Sequence, residues 1–226
     1  MNGTPVSILN NGEVITSLNS FPVGVISAPP INFQPTQTDA FGRLRSSQPF
    51  TLFDSFHRYY DNGKFVQYTS GTASSNFNPA GCMTLTIGQN SGDKIYRESI
   101  RVFAYQPGKS LLVLQTFCMS PAKPGLRQRQ GYFDVNNGFY MQMDNSTLSF
   151  VRRSSTSGSV VETVIPQSSW NYDTMLSNDG PSGLTLDMTR DQIFFTDIEW
   201  LGVGSARLGF VINGKFNICL LYTSDA

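Results

Sequence analysis

The chain has 226 residues, of which only 14% are charged, and its 16 basic side chains balance its 16 acidic ones. A protein that binds nucleic acid through its phosphates carries an excess of Lys and Arg, so this balance argues against nucleic acid as a partner. No apolar run approaches the roughly 20 residues that cross a bilayer, and the first residues lack the pattern of a signal peptide. We therefore expect no membrane association.

The first 40 residues are predicted to form an extended, Pro-rich arm. They contain five prolines and a single charge, Glu13, before Asp39. A small hairpin is expected around Asn11-Gly12, with Ser7–Leu9 and Glu13–Ile15 as its strands. The apolar side chains between Phe21 and Phe33 would form an exposed patch in water, which usually marks a contact surface. We expect the arm to pack on another subunit of a closed homo-oligomer, with a trimer as the first expectation, or else to fold back on its own domain as an edge strand.

From about residue 49 the pattern is that of short strands joined by Gly and Asn turns. The chain is poor in helix-forming residues and rich in polar uncharged residues, aromatics, Gly and Pro, which suits strands. Strand spacing of 8 to 12 residues predicts an all-β fold, an antiparallel sandwich or barrel, over residues 41–218. The predicted strands are Ile100–Tyr105, Leu111–Met119, Gln130–Val135, Phe139–Met143, Thr147–Arg152, Ser159–Ile165, Gln192–Leu201 and Arg207–Ile212, and Asn213-Gly214 opens one more hairpin.

The last eight residues, 219–226, read CLLYTSDA and resemble a translated sequencing-adapter end. On this interpretation they are a non-native tail, and the preceding domain is truncated near Ile218. The alternative is a native final strand, because the segment is apolar and prone to β structure.

Few residues are suited to metal, cofactor or nucleophile chemistry. Cys82 and Cys118 lack the spacing of metal ligands and flank apolar runs, so we expect buried free thiols. His57 is the single histidine, and no Ser or Cys is placed to act with it as a catalytic pair. Residues 108–110 lack the upstream glycine of a phosphate-binding loop. We therefore expect no metal, no cofactor and no catalytic residues.

The acidic residues Asp197 and Glu199 are two positions apart, which places them on one face of a strand. The segment resembles the catalytic strand of the laminarinase and xyloglucan-endotransglycosylase family. In that resemblance Asp197 matches the assisting carboxylate, Glu199 the acid/base and Phe195 the place of the nucleophile. A retaining mechanism needs two carboxylates that flank the sugar bond, so the phenylalanine argues against catalysis. The resemblance implies a concanavalin-like jelly roll and, more weakly, a sheet that faces a sugar.

Aromatic side chains with polar neighbours suit stacking on sugars, although aromatics at strand spacing belong to the core more often than to a ligand platform. A carbohydrate-binding or host-recognition module is therefore the alternative function, and a degenerate glycoside hydrolase ranks below it. A host-surface glycan is then a further partner. The sugar-facing candidates are Tyr132, Tyr140, Trp170, Asp197, Glu199 and Trp200.

Several segments carry a wider resemblance. Residues 39–45 read DAFGRLR and residues 48–55 read QPFTLFDS. Further matches are GYFD at 131–134, PQSSWN at 166–171, EWLGVG at 199–204 and GFVINGK at 209–215. Together they resemble a family of virion structural proteins of tailed phages, common in environmental and marine phage genomes.

The phage resemblance implies a non-enzymatic component of the tail, a fibre or the capsid surface. It implies other virion proteins as partners and the virion as location, after synthesis in the host cytoplasm.

Overall fold

The computed structural model describes residues 9–10, 13–14, 38–39, 43–44, 50–104, 106–178, 180–200 and 203–224. The chain divides into two units, Met1–Phe33 and Gln34–Ala226. In the first unit, β1 (Leu9–Asn10) pairs antiparallel with β2 (Glu13–Val14), which confirms the predicted hairpin around Asn11-Gly12. The rest of the predicted arm lies outside the described residues, apart from Thr38 and Asp39.

The second unit is built from antiparallel strands, so the all-β prediction is confirmed. The described residues contain no helix long and apolar enough to cross a membrane. A 3₁₀ turn lies at Gln167–Ser169. The strands are β3 (Phe65–Ser70), β4 (Ser74–Asn78), β5 (Cys82–Thr86), β6 (Lys94–Ser99), β7 (Leu111–Phe117), β8 (Arg127–Phe133), β9 (Gly138–Asp144), β10 (Thr147–Ser154), β11 (Val161–Pro166), β12 (Gln192–Trp200), β13 (Gly204–Ile212) and β14 (Lys215–Ser224).

Two four-stranded sheets carry most of the core. One has the order β11-β10-β9-β8 and the other β14-β13-β12-β7. The turn between β13 and β14 uses Asn213 and Gly214 at φ values of 52° and 74°. Two successive positive φ values are what a type I′ hairpin turn requires, and Asn-Gly adopts them most readily. The turn chemistry therefore explains why this hairpin forms where the sequence predicts it.

The core lies between these two sheets and centres on Phe150 of β10. The Phe150 ring stacks on Trp170 with centroids 4.1 Å apart, and it contacts Phe194 of β12 and Phe210 of β13 at 5.7 and 6.3 Å. Strand alternation turns Phe194, Thr196 and Ile198 towards this core, so Phe195, Asp197 and Glu199 point to the opposite face. The face of β12 that points away from the core therefore carries its acidic residues.

Residues 50–104 have a different construction. Here β3 pairs only with β6 and β4 only with β5, as two-stranded sheets. The His57 ring lies between Phe65 of β3 and Phe77 of β4, with centroids 6.2 and 6.1 Å away. None of the described residues from Phe50 to Cys118 is fully buried. This part of the chain has aromatic contacts but no closed core.

Two expectations about residues 82–118 are wrong. The predicted strand Ile100–Tyr105 does not form over the described residues 100–104, because Ile100 and Val102 point into solvent, 62% and 86% exposed, and β6 ends at Ser99. Cys82 and Cys118 are exposed thiols rather than buried ones. Both cysteines lie next to apolar residues that turn inward. The apolar stretch around each cysteine therefore does not show whether the thiol itself is buried.

The segment that resembles an adapter continues β14 as far as Ser224. The register with β13 shifts between Leu208 and Gly209, and both Cys219 and Leu220 are buried at that irregularity. The side chain of Asn171 donates to the Leu221 carbonyl at 2.8 Å and accepts from the Leu221 amide at 2.9 Å. The amide groups of Tyr172 and Asp173 donate to the Cys219 carbonyl. The segment thus has the geometry of a strand, and its non-native origin stays a prediction.

Candidate functional site

Asp197 and Glu199 lie side by side on the face of β12 that points away from the aromatic core. They share that face with Phe195, as the strand alternation predicts. Asp197 is 0% exposed and Glu199 is 1% exposed. A buried carboxylate needs a compensating charge or hydrogen bonds, so the neighbours of this pair decide its role.

Arg207 provides the charge that faces Asp197. The two residues are directly opposite each other in the β12–β13 register, and the Arg207 Nε donates to Asp197 Oδ2 at 2.9 Å. A terminal guanidinium nitrogen of Arg207 donates to the same carboxylate and, at 2.6 Å, to the Thr38 carbonyl. Arg207 therefore joins β12 to a backbone group 169 residues earlier in the sequence.

Arg43 provides the charge that faces Glu199. One terminal nitrogen of the Arg43 guanidinium donates to Glu199 Oε1. Its Nε donates to Asp39 Oδ2 at 2.7 Å, and its backbone amide donates to Asp39 Oδ1 at 2.9 Å. The Asp39 amide donates to the Arg43 carbonyl, and Thr38 forms a β-bridge with Leu44. These bonds fix residues 38–39 and 43–44 around the guanidinium.

Six residues form what we call the ion-pair cluster: Thr38, Asp39, Arg43, Asp197, Glu199 and Arg207. It contains three carboxylates and two guanidinium groups. Hydrogen bonding to Asp39 raises the pKa of Arg43, and the Glu199 charge adds to that effect. Only the Arg43 side chain is well exposed, at 59%, so the cluster is buried against the sheet.

The ion-pair cluster forms a clamp, by which we mean that its charged hydrogen bonds hold Thr38 and Arg43 against β12 and β13. Phe195, at the place of the nucleophile in the glycosidase resemblance, is 1% exposed and packs edge-on against Phe216 at 5.2 Å. Asp197 and Glu199 are each hydrogen-bonded to a guanidinium, and neither presents an accessible surface to a sugar. Among the described residues no group of three or more His, Cys, Asp or Glu is arranged to hold a metal ion.

Two of the four aromatic candidates for sugar stacking, Tyr140 and Trp170, are buried in this structure. Trp170 is 4% exposed and belongs to the core beside Phe150, and Tyr140 is 0% exposed. The Tyr140 hydroxyl donates to Glu162 at 2.9 Å, and burial raises the pKa of Tyr140. Tyr132 is half-buried, and its hydroxyl donates to the Phe103 carbonyl at 2.7 Å. Tyr140 and Trp170 are therefore not surface platforms.

The last aromatic candidate, Trp200, ends β12, and its side chain lies outside the described part of the structure. The structure brings Asp197 and Glu199 together as predicted. It does not bring Tyr132, Tyr140 and Trp170 to one exposed face.

Most of the exposed aromatic residues of the described chain lie elsewhere, in residues 50–104. Tyr59 and Tyr60 are 84% and 72% exposed, and Tyr68 and Tyr96 are 45% and 48% exposed. The sequence patterns did not predict the exposure of these residues. The adjacent Tyr59-Tyr60 pair, between Arg58 and Asp61, was the one available signal, because strand alternation cannot bury two neighbouring rings on the same side.

Comparison with protein-family models, curated proteins and solved structures found no match. The site is therefore interpreted from its own geometry. One feature of that geometry concerns two of the segments that carry the phage resemblance. Arg43 belongs to the segment 39–45 and Glu199 to the segment 199–204, and the two side chains form an ion pair.

Proposed function

We propose that this chain is a non-enzymatic structural component of a tailed-phage virion. The observation that carries the proposal is the contact between Arg43 and Glu199, because it gives two separate matched segments a shared structural purpose. A glycosidase needs two carboxylates that can flank the sugar bond, whereas Asp197 and Glu199 are held in buried ion pairs. The tail, a fibre and the capsid surface are equally compatible with this role.

Two glycines in the matched segments support a structural role in the same way. A Cβ at Gly131 would lie 2.5 Å from the Tyr140 Cα, and a Cβ at Gly209 would lie 2.0 Å from the Asn217 carbonyl oxygen. Both positions require glycine because neighbouring backbone approaches closely. The matched segments thus contain residues that fix packing and charge pairing within the sheets.

For the fold, we propose a β-sandwich built from consecutive hairpins. The aromatic core shared by the two four-stranded sheets supports it. The jelly-roll connectivity has less support, because a jelly roll consists of two Greek keys and places distant strands side by side. Among the described strands of the two large sheets, only β7 and β12 are non-consecutive neighbours.

Mass spectrometry of purified phage particles that encode this sequence tests the proposal. We expect the protein at a stoichiometric level in the particle, together with other virion proteins. Its absence from intact particles would overturn the assignment.

A second assay addresses catalysis directly. We expect no hydrolysis of β-glucans above the level of a blank, both for the wild-type protein and for Glu199→Gln. Hydrolysis by the wild type that disappears in Glu199→Gln would show that the buried carboxylate is catalytic after all.

A further inference from the structure

One face of the sheet formed by β3 and β6 carries a pair of stacked tyrosines. Tyr68 of β3 and Tyr96 of β6 are directly opposite each other in the register. Their rings stack with centroids 4.8 Å apart and an interplanar angle of 26°. Tyr68 and Tyr96 are nevertheless 45% and 48% exposed. Each ring therefore uses one of its faces for the pair and keeps much of its remaining surface in solvent.

The tyrosine pair lies on the outward face of this sheet. On the other face Phe65 packs edge-on against Phe53 at 5.7 Å and lies under the Arg97 guanidinium at 4.7 Å. Strand alternation places Tyr68 opposite Phe65 and Tyr96 opposite Arg97 with respect to the plane of the sheet. Among the described strands β3 and β6 pair only with each other, so no further strand lies beside either tyrosine. The two rings are therefore accessible to a ligand from solvent.

Two charged side chains flank Tyr96 on the same face. Lys94 and Glu98 are each two positions from Tyr96 in β6, so the three side chains point the same way. Both are exposed, and neither side chain forms an ion pair or a hydrogen bond within the described part of the chain. The Lys94 ammonium donates hydrogen bonds and the Glu98 carboxylate accepts them. Tyr68, Lys94, Tyr96 and Glu98 form what we call the tyrosine platform, an aromatic surface with a donor on one side and an acceptor on the other.

The chemistry of the tyrosine platform selects the class of its ligand. The charges of Lys94 and Glu98 cancel, so the platform lacks the excess of cations by which proteins bind the phosphates of nucleic acids. An apolar protein surface would bury both charged groups without partners, which is unfavourable. A neutral sugar suits all of these groups. Its C–H face packs on an aromatic ring, and its hydroxyls accept from the ammonium and donate to the carboxylate.

We propose that the tyrosine platform binds a neutral oligosaccharide. One sugar ring stacks on the exposed face of Tyr68 or Tyr96, and hydroxyls beside it bond to Lys94 and Glu98. The site depends only on exposed residues of β3 and β6, so it is independent of the phage assignment. In a virion component it would supply attachment to a glycan, which goes beyond a structural role.

Saturation-transfer NMR of the full chain with maltohexaose, laminarihexaose and chitohexaose tests this proposal. We expect transfer to at least one of these neutral sugars, whose dissociation constant is then measured by titration. Tyr68→Ser/Tyr96→Ser should weaken binding at least about tenfold, because the stacking surface is lost. Glu98→Ala should weaken it about threefold or more, because it removes one hydrogen-bond acceptor and leaves both rings. Tyr172→Ser is the matched control, since Tyr172 is 54% exposed but lies outside β3 and β6, and its binding should equal that of the wild type.

Circular dichroism and the thermal unfolding midpoint report whether each variant is folded. Glu98 is exposed and lies opposite Val66, so Glu98→Ala keeps the test valid if the double tyrosine variant unfolds. The proposal is overturned if none of the sugars receives transfer. It is also overturned if binding is unchanged in Glu98→Ala or in a folded Tyr68→Ser/Tyr96→Ser protein. Binding of a polyproline peptide in the absence of sugar binding would overturn it too, because the rings would then recognise protein.

Discussion

Arg43 and Glu199 are 156 residues apart in the sequence and form an ion pair against the β12 face that lies opposite the core. Asp197, two residues earlier on the same face, is paired with Arg207, which also binds the Thr38 carbonyl. Two neighbouring carboxylates therefore anchor two positions of the same early segment. The face that a glycosidase would leave open for sugar is occupied in this protein by its own chain.

Removal of the Arg207 guanidinium should be strongly destabilising. Arg207→Met deprives Asp197, which is 0% exposed, of the cation opposite it. Breaking a buried pair by removing one partner costs about 3–5 kcal/mol of unfolding free energy, which urea denaturation measures. The control is Arg190→Met, because Arg190 is 82% exposed where it pairs with Asp187, and its loss should change stability by less than about 0.5 kcal/mol. Equal effects of the two substitutions would contradict the clamp.

Substitution at Gly209 should show how tightly β13 and β14 are packed. A Cβ there would meet the Asn217 carbonyl oxygen at 2.0 Å and the Phe195 ring at 2.9 Å. Because the first obstacle is backbone, we expect Gly209→Ala to cost about 3 kcal/mol or more of unfolding free energy.

The control for this substitution is Gly92→Ala. Gly92 has a φ of 91° but nothing within 4 Å of the added Cβ, so only its backbone conformation should be penalised, by about 1–2 kcal/mol. The close approach of β13 and β14 would be disproved by a Gly209→Ala protein as stable as the Gly92→Ala protein.

Acid should weaken the part of the fold that contains β3 and β6. Arg97 donates to both carboxylate oxygens of Asp61, at 2.7 and 3.0 Å, and this holds the pKa of Asp61 below its usual value. A carboxyl with a lower pKa in the folded state stabilises the fold above its unfolded pKa of about 3.9, and this stabilisation is lost as pH falls through the folded pKa.

The measurement is the thermal unfolding midpoint between about pH 5 and pH 2. Arg97→Gln should lower the midpoint at pH 5 and make its decline with acid less steep. Because Asp61 is 37% exposed, the difference should be modest. A pH dependence identical to that of the wild type would show that the pair contributes nothing to stability.

The three cysteines should react with a thiol reagent at three different rates. Cys82 is exposed, and Cys219 is 0% exposed beside the Met175 sulfur at 3.6 Å. Cys118 is exposed, but its thiol donates to the Thr189 carbonyl and burial raises its pKa, so less of the reactive thiolate forms. We expect Cys82 to react first, Cys118 more slowly, and Cys219 only on unfolding.

Mass spectrometry of peptides from the labelled protein identifies the modified cysteine. Rapid labelling of Cys219 in the native protein would contradict its place in the core. It would also favour the interpretation of residues 219–226 as a non-native tail.

Local patterns predicted the strands whose apolar residues alternate and whose ends carry Gly or Asn. The hairpin of β9 and β10 is an example, since Asn145 adopts a φ of 55° between them. The patterns did not resolve β4, whose residues 74–78 read SSNFN, because a strand with a single apolar side chain does not stand out from a loop. Exposed two-stranded sheets are therefore the elements that period-2 analysis misses most easily.

For the site, alternation correctly placed Asp197 and Glu199 on one face. It could not predict that the face is buried, because the partners Arg43 and Thr38 come from a distant segment. The same limit applies to Trp170 and Tyr140. A period of two residues separates the faces of a strand but does not say which face the rest of the chain covers.

The bonds that Asn171 makes to Leu221 have a consequence for growth of the sheet. A bare edge strand offers a row of amide and carbonyl groups to any extended chain, and this is how β proteins polymerise by accident. Here the Asn171 side chain is hydrogen-bonded to both the amide and the carbonyl of Leu221. The backbone amides of Tyr172 and Asp173 donate to the Cys219 carbonyl. The outer side of β14 is thereby closed to a further strand at these positions, so filament formation by strand addition cannot begin there.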